Sequence, residues 1–258
     1  VIALRNRLIA KGYLERSVSP IFDKTLIIAL MNFQKDHGLF ADGIAGTATI
    51  AELNKNAEER LKAITVALER ERWLTNSSLF DESLYLRKIV VNLTDFTAKI
   101  LDDGVVTFHT RSVVGAIKDN QKTPEFSDLM QYMVINPTWF VPRSITVKEY
   151  LPELQLDPYV HHDLTLYAPE DGAIIPRELI DFTLFDKDNF PYEIKQLPSL
   201  SNALGLVKFM FPNKHNIYLH DTPQKTLFYK EQRTFSHGCI RLQDPFEFAY
   251  KLLDKQSR

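Results

Sequence analysis

The chain has 258 residues, 45% of them hydrophobic, which is enough for one large domain or two smaller ones with a filled core. Its 31 Lys+Arg nearly balance 33 Asp+Glu, and a net charge of -2 offers no pull toward nucleic acid or an anionic membrane. One cysteine excludes an internal disulfide and a Cys-rich zinc site, and leaves the redox compartment open.

No window approaches 18 consecutive apolar residues, so the chain is expected to be soluble as given. The opening V-I-A-L-R-N-R-L lacks the basic start and apolar run of a secretory signal. Without a leading methionine, and with Ile2, Leu4, Leu8 and Ile9 already at helical spacing, it reads as part of a longer protein. A lost signal or membrane anchor would lie only in that missing N-terminus.

Residues 1 to 55 read as a module of three short helices. In the second, Leu26, Ile27, Leu30, Met31 and Phe33 follow helical spacing, and Gly38 stands at the C-cap. Asp42-Gly43 and Gly46 supply a tight turn, and Thr47 is the expected cap of the third helix. The run F-Q-K-D-H-G-L-F-A-D-G-I-A-G-T-A-T-I-A-E-L resembles the helical peptidoglycan-binding domain often appended to cell-wall enzymes. Each of these residues also reads as a builder of helix and turn, so wall binding stays open.

Residues 56 to 74 predict a charged amphipathic linker helix with Leu61, Ile64, Leu68 and Trp73 on or near one face. Its charges read as a solvated face. Near Tyr85 the pattern turns to strands, opening the domain expected over 75 to 258: L-R-K-I-V-V-N-L, then T-A-K-I-L-D-D-G-V-V-T-F-H-T-R-S-V-V-G with Asp103-Gly104 as a hairpin turn. Further strands are expected at Q-Y-M-V-I-N-P-T-W-F, K-H-N-I-Y-L-H-D and 236 to 242, giving a mostly antiparallel sheet and an α+β fold. Asp244, Pro245 and Glu247 predict an N-cap, first-turn proline and capping box before F-E-F-A-Y-K-L-L-D-K. Between about 143 and 204 the regularity is broken by prolines, which suggests an inserted subdomain beside the active site, or a structural excursion with a small core of its own.

The only cysteine lies in F-S-H-G-C-I-R-L-Q-D-P. A catalytic thiol needs a base or a positive environment. His237 would share Cys239's side of an extended strand, and His220 ends the strand I-Y-L-H that could lie alongside; spacing does not choose between them. Gly238 allows a sharp turn, and the N–H groups of Gly238 and Cys239 are candidates for an oxyanion hole. His220, Asp221, His237 and Cys239 are also all zinc-ligand types. His161-His162 fall in the Pro-rich insertion, where contact with substrate or metal is the alternative to the more usual exposure, and His37, His109 and His215 read as structural or surface. Asp186 and Asp188 begin a calcium-loop pattern that is not completed.

His220, fifteen residues, then S-H-G-C-I-R-L resembles the signature of L,D-transpeptidases, and G-A-I-K-D-N-Q-K-T-P-E-F and I-N-P-T-W-F-V-P are similar to the same catalytic domain. With the helical module and the insertion, the chain looks most like large Gram-negative members that carry a capping loop. The resemblance implies a mostly β catalytic domain of sheet-sandwich type with an inserted capping subdomain. It implies Cys239 as acylated nucleophile and His220 as base, oriented in part through Asp221. His237, Gly238 and Cys239 would shape the oxyanion hole, Ser236 and Arg241 would hold the motif and the substrate's carboxylates, and Tyr218 and Trp139 would line the pocket.

The implied reaction attacks the L,D bond of a peptidoglycan tetrapeptide stem, releases D-alanine and passes the acyl group to an amine of a neighbouring stem, making a 3→3 cross-link. Water as acceptor would make the chain an L,D-carboxypeptidase, and a lipoprotein lysine would make it a tethering enzyme. The resemblance also implies no cofactor or metal, a periplasmic location in the cell envelope, a part in wall biogenesis and cell shape, and covalent inhibition by carbapenem-type β-lactams. The rival of a different class is a non-catalytic wall-binding protein in which residues 1 to 55 do the work.

Overall fold

The computed structural model describes residues 1–75, 87–118 and 120–255. The expected domain start at 75 adjoins residues 76–86, and the change of pattern near Tyr85 falls among them, outside the described residues.

The module opens with α1 (Ile2–Ala10), α2 (Lys24–Asp36) and α3 (Thr47–Asn54). Leu8, Leu26, Leu30 and Phe33 are fully buried between them, and Leu53 nearly so. Met31, expected on the buried face, is 38% exposed. At the end of α2 the Gly38 N–H reaches Lys35 O and the Leu39 N–H reaches Gln34 O, with Gly38 at φ +69. This is a Schellman closure, which needs the left-handed residue that glycine supplies.

The turn that follows is organised by Gln34, which is 1% exposed. Its Nε2 lies 2.9 Å from Asp42 Oδ1, 3.0 Å from Ile44 O and 3.1 Å from Thr49 Oγ1, while its Oε1 accepts the Gly43 N–H at 2.8 Å. Gly43 has φ +72, and a Cβ there would lie 2.7 Å from Ile27 Cγ2. The Gln, Asp, Gly and Thr of the motif thus fold its own loop. Thr47 does not cap α3: Gly46 occupies the N-cap without a side-chain bond, and the loop is closed by Gln34 and Thr49 instead.

The linker helix is α4 (Ala57–Thr75). Asn56 and Glu59 exchange side chain to backbone hydrogen bonds of 2.8 and 2.9 Å, a reciprocal capping box. Leu61, Ile64, Leu68 and Trp73 are 55–66% exposed, so the apolar stripe on this helix is uncovered.

The strands are β1 (Arg87–Asn92), β2 (Thr97–Asp102), β3 (Val105–Gly115), β4 (Tyr132–Ile135) and β5 (Trp139–Phe140). Asp103 and Gly104, at φ +52 and +78, make the two-residue hairpin loop between β2 and β3. The expected single strand over 131–140 divides at Asn136 (φ +49), just before Pro137, and its halves enter different sheets. The insertion follows with α5 (Arg143–Ile145), a π-turn over Thr146–Tyr150, α6 (Leu151–Leu156), β6 (Leu164–Tyr167), β7 (Ile174–Ile175) and β8 (Glu193–Gln196). The chain then forms β9 (Val207–Met210), β10 (Leu219–His220), β11 (Thr234–Ser236), β12 (Ile240–Leu242) and α7 (Pro245–Leu253).

The main sheet runs β1-β2-β3-β12-β10-β9-β4, with β11 paired to β3; the second runs β5-β8-β6-β7. The architecture is α+β. Every pairing is antiparallel except β10–β12 and β11–β3. Both exceptions flank the cysteine. One apolar cluster joins the two sheets, running from Ile100, Phe209 and Phe248 to Leu151, Leu166 and Phe182 in the insertion. Phe248 of α7 meets Phe209 edge-on at 4.9 Å. Burial of such a ring is worth roughly 1.5–3 kcal/mol, and it seats α7 under the motif strand. Asp244 precedes α7 at its N-cap, but its carboxylate accepts from Thr110 Oγ1 at 2.8 Å rather than capping the helix. The expected capping box yields to a tie between α7 and β3.

Candidate active site

The motif is a break between two strands. β11 ends at Ser236, β12 begins at Ile240, and Gly238 between them has φ +118. A Cβ on Gly238 would lie 3.0 Å from Ile217 Cδ1, so both conformation and space ask for glycine. Ser236, 2% exposed, closes the turn: its Oγ accepts the Gly238 N–H at 3.1 Å and donates to Cys239 O at 2.5 Å. The Gly238 carbonyl accepts from Thr123 Oγ1 at 2.7 Å, and Thr123 Oγ1 accepts the Gly115 N–H at 2.9 Å. A Cβ on Gly115 would lie 2.0 Å from Gln121 O and 3.0 Å from Gly238 Cα. Gly115, Gln121 and Thr123 therefore pack closely against the motif turn.

This bonding corrects one expectation. The Gly238 N–H is spent on Ser236 and does not face a reacting oxygen. The Cys239 N–H has no partner among the described residues and is the amide left free to serve an oxyanion.

His220 lies on β10, opposite Arg241 of β12 and Lys208 of β9. Its ring is 4% exposed and its Nδ1 is hydrogen-bonded to Asp221 O. A carbonyl only accepts, so Nδ1 carries the proton and Nε2 presents a lone pair. Burial, then the Arg241 charge, push its pKa down to about 3, so the ring is neutral near pH 7. The Asp221 carboxylate does not reach this ring. It is itself buried, accepting from the Leu206 N–H at 2.9 Å and Lys225 Nζ at 2.7 Å. A Cβ on Gly205 would strike it at 2.3 Å. Only the backbone of Asp221 orients the imidazole, and its carboxylate braces the loop before β9.

Cys239 Sγ lies 3.8 Å from Asn216 O. Burial raises the thiol's pKa, against the opposing pull of the Tyr218 N–H and hydroxyl, Lys208 and Arg241. With the thiol raised and the imidazole lowered, the resting pair is neutral thiol and neutral imidazole rather than a preformed ion pair. Tyr218 is 8% exposed, and burial first, then Cys239, push its pKa far above the ordinary tyrosine value. Lys208 Nζ stands 3.9 Å from the centre of the Tyr218 ring. Trp139, 9% exposed, meets Tyr150 edge-on at 6.3 Å.

His237 takes a separate course. Strand alternation does not carry through the turn at Gly238, and the His237 ring bonds Glu149 Oε1 at 2.6 Å, in the π-turn of the insertion. Arg241 Nη1 donates to Gln224 Oε1 at 2.7 Å, while its Nε is buried without a partner. Arg241 lines a cavity of about 180 Å3 whose other walls include Tyr150, His161, Asp163, Gln196 and Thr222. His161, read as exposed, thus reaches the cavity and pairs with Glu153. His37 stacks on Phe33 at 4.0 Å in the helical module, and Asp186 folds a local turn by accepting the Asp188 and Asn189 N–H groups. Among the described residues no three His, Cys, Asp or Glu side chains converge as metal ligands.

Sequence reasoning missed Glu149, Thr123, Lys208 and Asn216. Only Thr123 left a signal, standing in the quoted run G-A-I-K-D-N-Q-K-T-P-E-F.

Residues 86–257 match the family model described as "L,D-transpeptidase catalytic domain", and residues 1–53 match that described as "Putative peptidoglycan binding domain". A curated relative from Haemophilus influenzae, "Putative L,D-transpeptidase", is 31% identical over 166 residues, covering 64% of this chain and 33% of that protein. The chain thus spans about a third of the length of the curated relative it matches. A solved L,D-transpeptidase fragment from Xylanimonas cellulosilytica aligns with 99% of this chain and 86% of its own at 16% identity, with a TM-score of 0.29 that carries no fold argument. The family model covers most of the chain and all of the motif described above: the chain belongs to the L,D-transpeptidase catalytic-domain family.

Proposed function

We propose that the chain is an acyltransferase acting on peptidoglycan stems, with Cys239 as nucleophile and His220 as base. The observation that carries this reading is the pairing of β10 with β12: it sets a buried, neutral imidazole of fixed tautomer on the strand beside the chain's only cysteine. As the carbonyl carbon of the third stem residue is attacked, the thiol proton passes to His220 Nε2 and the C–S bond forms. The tetrahedral oxygen accepts from the Cys239 N–H. On collapse the amide C–N bond breaks, His220 returns the proton to the leaving amine, and D-alanine departs. A neutral base suits this cycle, because the ring must be free to take a proton at physiological pH.

An amine of a second stem then attacks the thioester, His220 takes its proton, and the thiol is regenerated with a 3→3 link. The match of residues 1–53 supports a wall-binding role for the helical module, and the substrate implies action in the periplasm. Incubation with tetrapeptide-stem muropeptides, followed by mass analysis of products, tests the proposal. A 3→3 dimer with loss of D-alanine is expected. Tripeptide alone would make the chain a carboxypeptidase and overturn the transfer step, and unchanged tetrapeptide would leave only the wall-binding rival.

A further inference from the structure

The sheet face that carries Cys239 holds two rows of side chains. His220 pairs with Lys208 of β9 on one side and with Arg241 of β12 on the other, so the imidazole stands between two cations. Two residues back on the same face lie Tyr218 and Cys239, and the Ile240 N–H ties their strands by donating to Tyr218 O at 3.0 Å. The Tyr218 and His220 rings meet edge-on at 5.6 Å.

Lys208 is half-buried, and its Nζ sits 3.9 Å from the centre of the Tyr218 ring. Among the described residues it makes no hydrogen bond and no ion pair through Nζ. Its β4 neighbour is Val134, which carries no charge. Asp221, the carboxylate that follows β10, is committed to the Leu206 N–H and Lys225, and Glu149 and His237 from either side of the motif hold each other. Arg241 is held by the neutral amide of Gln224. An ammonium packed on an aromatic face without an anion is desolvated and uncompensated. Tyr218 stays protonated, so Cys239 is the side chain on this face that becomes an anion during acyl transfer. Burial lowers the lysine's pKa and the Cys239 charge opposes it; burial raises the thiol's, and Lys208 is among the groups that oppose it.

We propose that Lys208 is a positioning residue for acyl transfer: seated on the Tyr218 ring beside His220, its ammonium stabilises the negative charge on sulfur as the S–H bond breaks. This rests on the acyltransferase reading above. When the proton reaches His220 Nε2, the electron pair stays on sulfur and becomes the C–S bond. The imidazolium then stands between Lys208 and Arg241, holds its proton weakly, and gives it to the leaving amine as the C–N bond breaks. One lysine thus favours the thiolate and hastens the return of the proton.

The test is the pH profile of alkylation by iodoacetamide, which reads Cys239 alone because the full chain has one cysteine. Lys208→Met and Lys208→Gln remove the charge, and Lys208→Arg keeps it. Both neutral variants should alkylate about tenfold more slowly near pH 8, with the profile displaced to higher pH, while Lys208→Arg follows the wild type. A lysine that only fills space predicts the opposite direction, because loosened packing admits water and relieves the burial that raises the thiol. The proposal is overturned if the neutral variants' profile stays in place or moves to lower pH, or if Lys208→Arg behaves like Lys208→Met. Thioester formation with a tetrapeptide stem is scored in parallel, where the neutral variants should lose rate at saturation with little change in half-saturating concentration. A raised half-saturating concentration with an unmoved alkylation profile would make Lys208 a substrate contact and overturn the proposal. If the wild type forms no thioester, the catalytic reading fails, while the alkylation profile still decides whether Lys208 steadies the thiolate.

Discussion

The charge of His220 offers a quantitative handle on the site. In the folded chain, burial and then Arg241 hold its pKa at about 3, against an ordinary value of 6.5. Between those values the unfolded chain binds a proton that the folded chain refuses. Stability from this group is therefore fully present above about pH 6.5 and falls as pH drops toward 3. At pH 5 the unfolded ring lies about 1.5 units below its pKa, and at roughly 1.36 kcal/mol per unit the loss relative to pH 7 is about 2 kcal/mol. Urea unfolding at pH 7 and pH 5 measures it, with Trp139 as reporter in a Trp73→Phe background so that the catalytic domain is followed alone. His220→Gln removes the titrating group, and other acids cancel when the two proteins are compared. The wild type should lose about 2 kcal/mol more than the variant between the two pH values. An equal loss in both would refute a buried neutral His220. As a corollary, acylation of the folded wild type should show no fall near pH 6.5, because the base is still unprotonated there.

Two further substitutions probe the frame around the thiol and the helical module. Ser236→Ala leaves the buried Gly238 N–H and the Cys239 carbonyl without their shared partner, at about 1–3 kcal/mol for each unsatisfied group; a lower urea midpoint and slower acylation are expected, and an unchanged midpoint would contradict the bonding described. Gly43→Ala forces a side chain into φ +72 and within 2.7 Å of Ile27 Cγ2, so residues 1–53 should melt earlier by about 1–2 kcal/mol of stability while acylation at Cys239 is unchanged.

What the sequence revealed was mostly local. Asp103-Gly104 forces the hairpin whatever surrounds it, and Gly38 ends α2 because the left-handed closing residue must be glycine-like. Tertiary competition defeated other local signals. Asp244 has the sequence of a helix cap, yet Thr110, distant in the chain, takes its carboxylate. Strand alternation put His237 beside Cys239, but the turn at Gly238 resets the direction and Glu149 of the insertion claims the ring. The four-residue strands β6, β8 and β9 are too short for periodicity to mark them, and each is fixed by neighbours from far along the chain. Within the site, Cys239, His220, Tyr218 and Arg241 could be singled out from the motif and its spacing. Lys208, Asn216 and Glu149 could not, since their place depends on how β9, the loop before β10 and the π-turn fold around the cysteine. The Gly238 N–H illustrates the same limit: its partner is a serine only two residues away, yet nothing in the order of letters says that the amide points at Ser236 rather than at substrate.

The most direct test of the account is the intact mass of the chain after exposure to a carbapenem or a tetrapeptide stem. The account predicts one covalent adduct on the wild type, mapped to Cys239 and absent in Cys239→Ala. It further predicts that His220→Ala abolishes the adduct while His237→Ala only slows it. An unmodified wild-type mass would contradict the assignment of Cys239 as nucleophile, and loss of the adduct in His237→Ala but not in His220→Ala would contradict the assignment of the base.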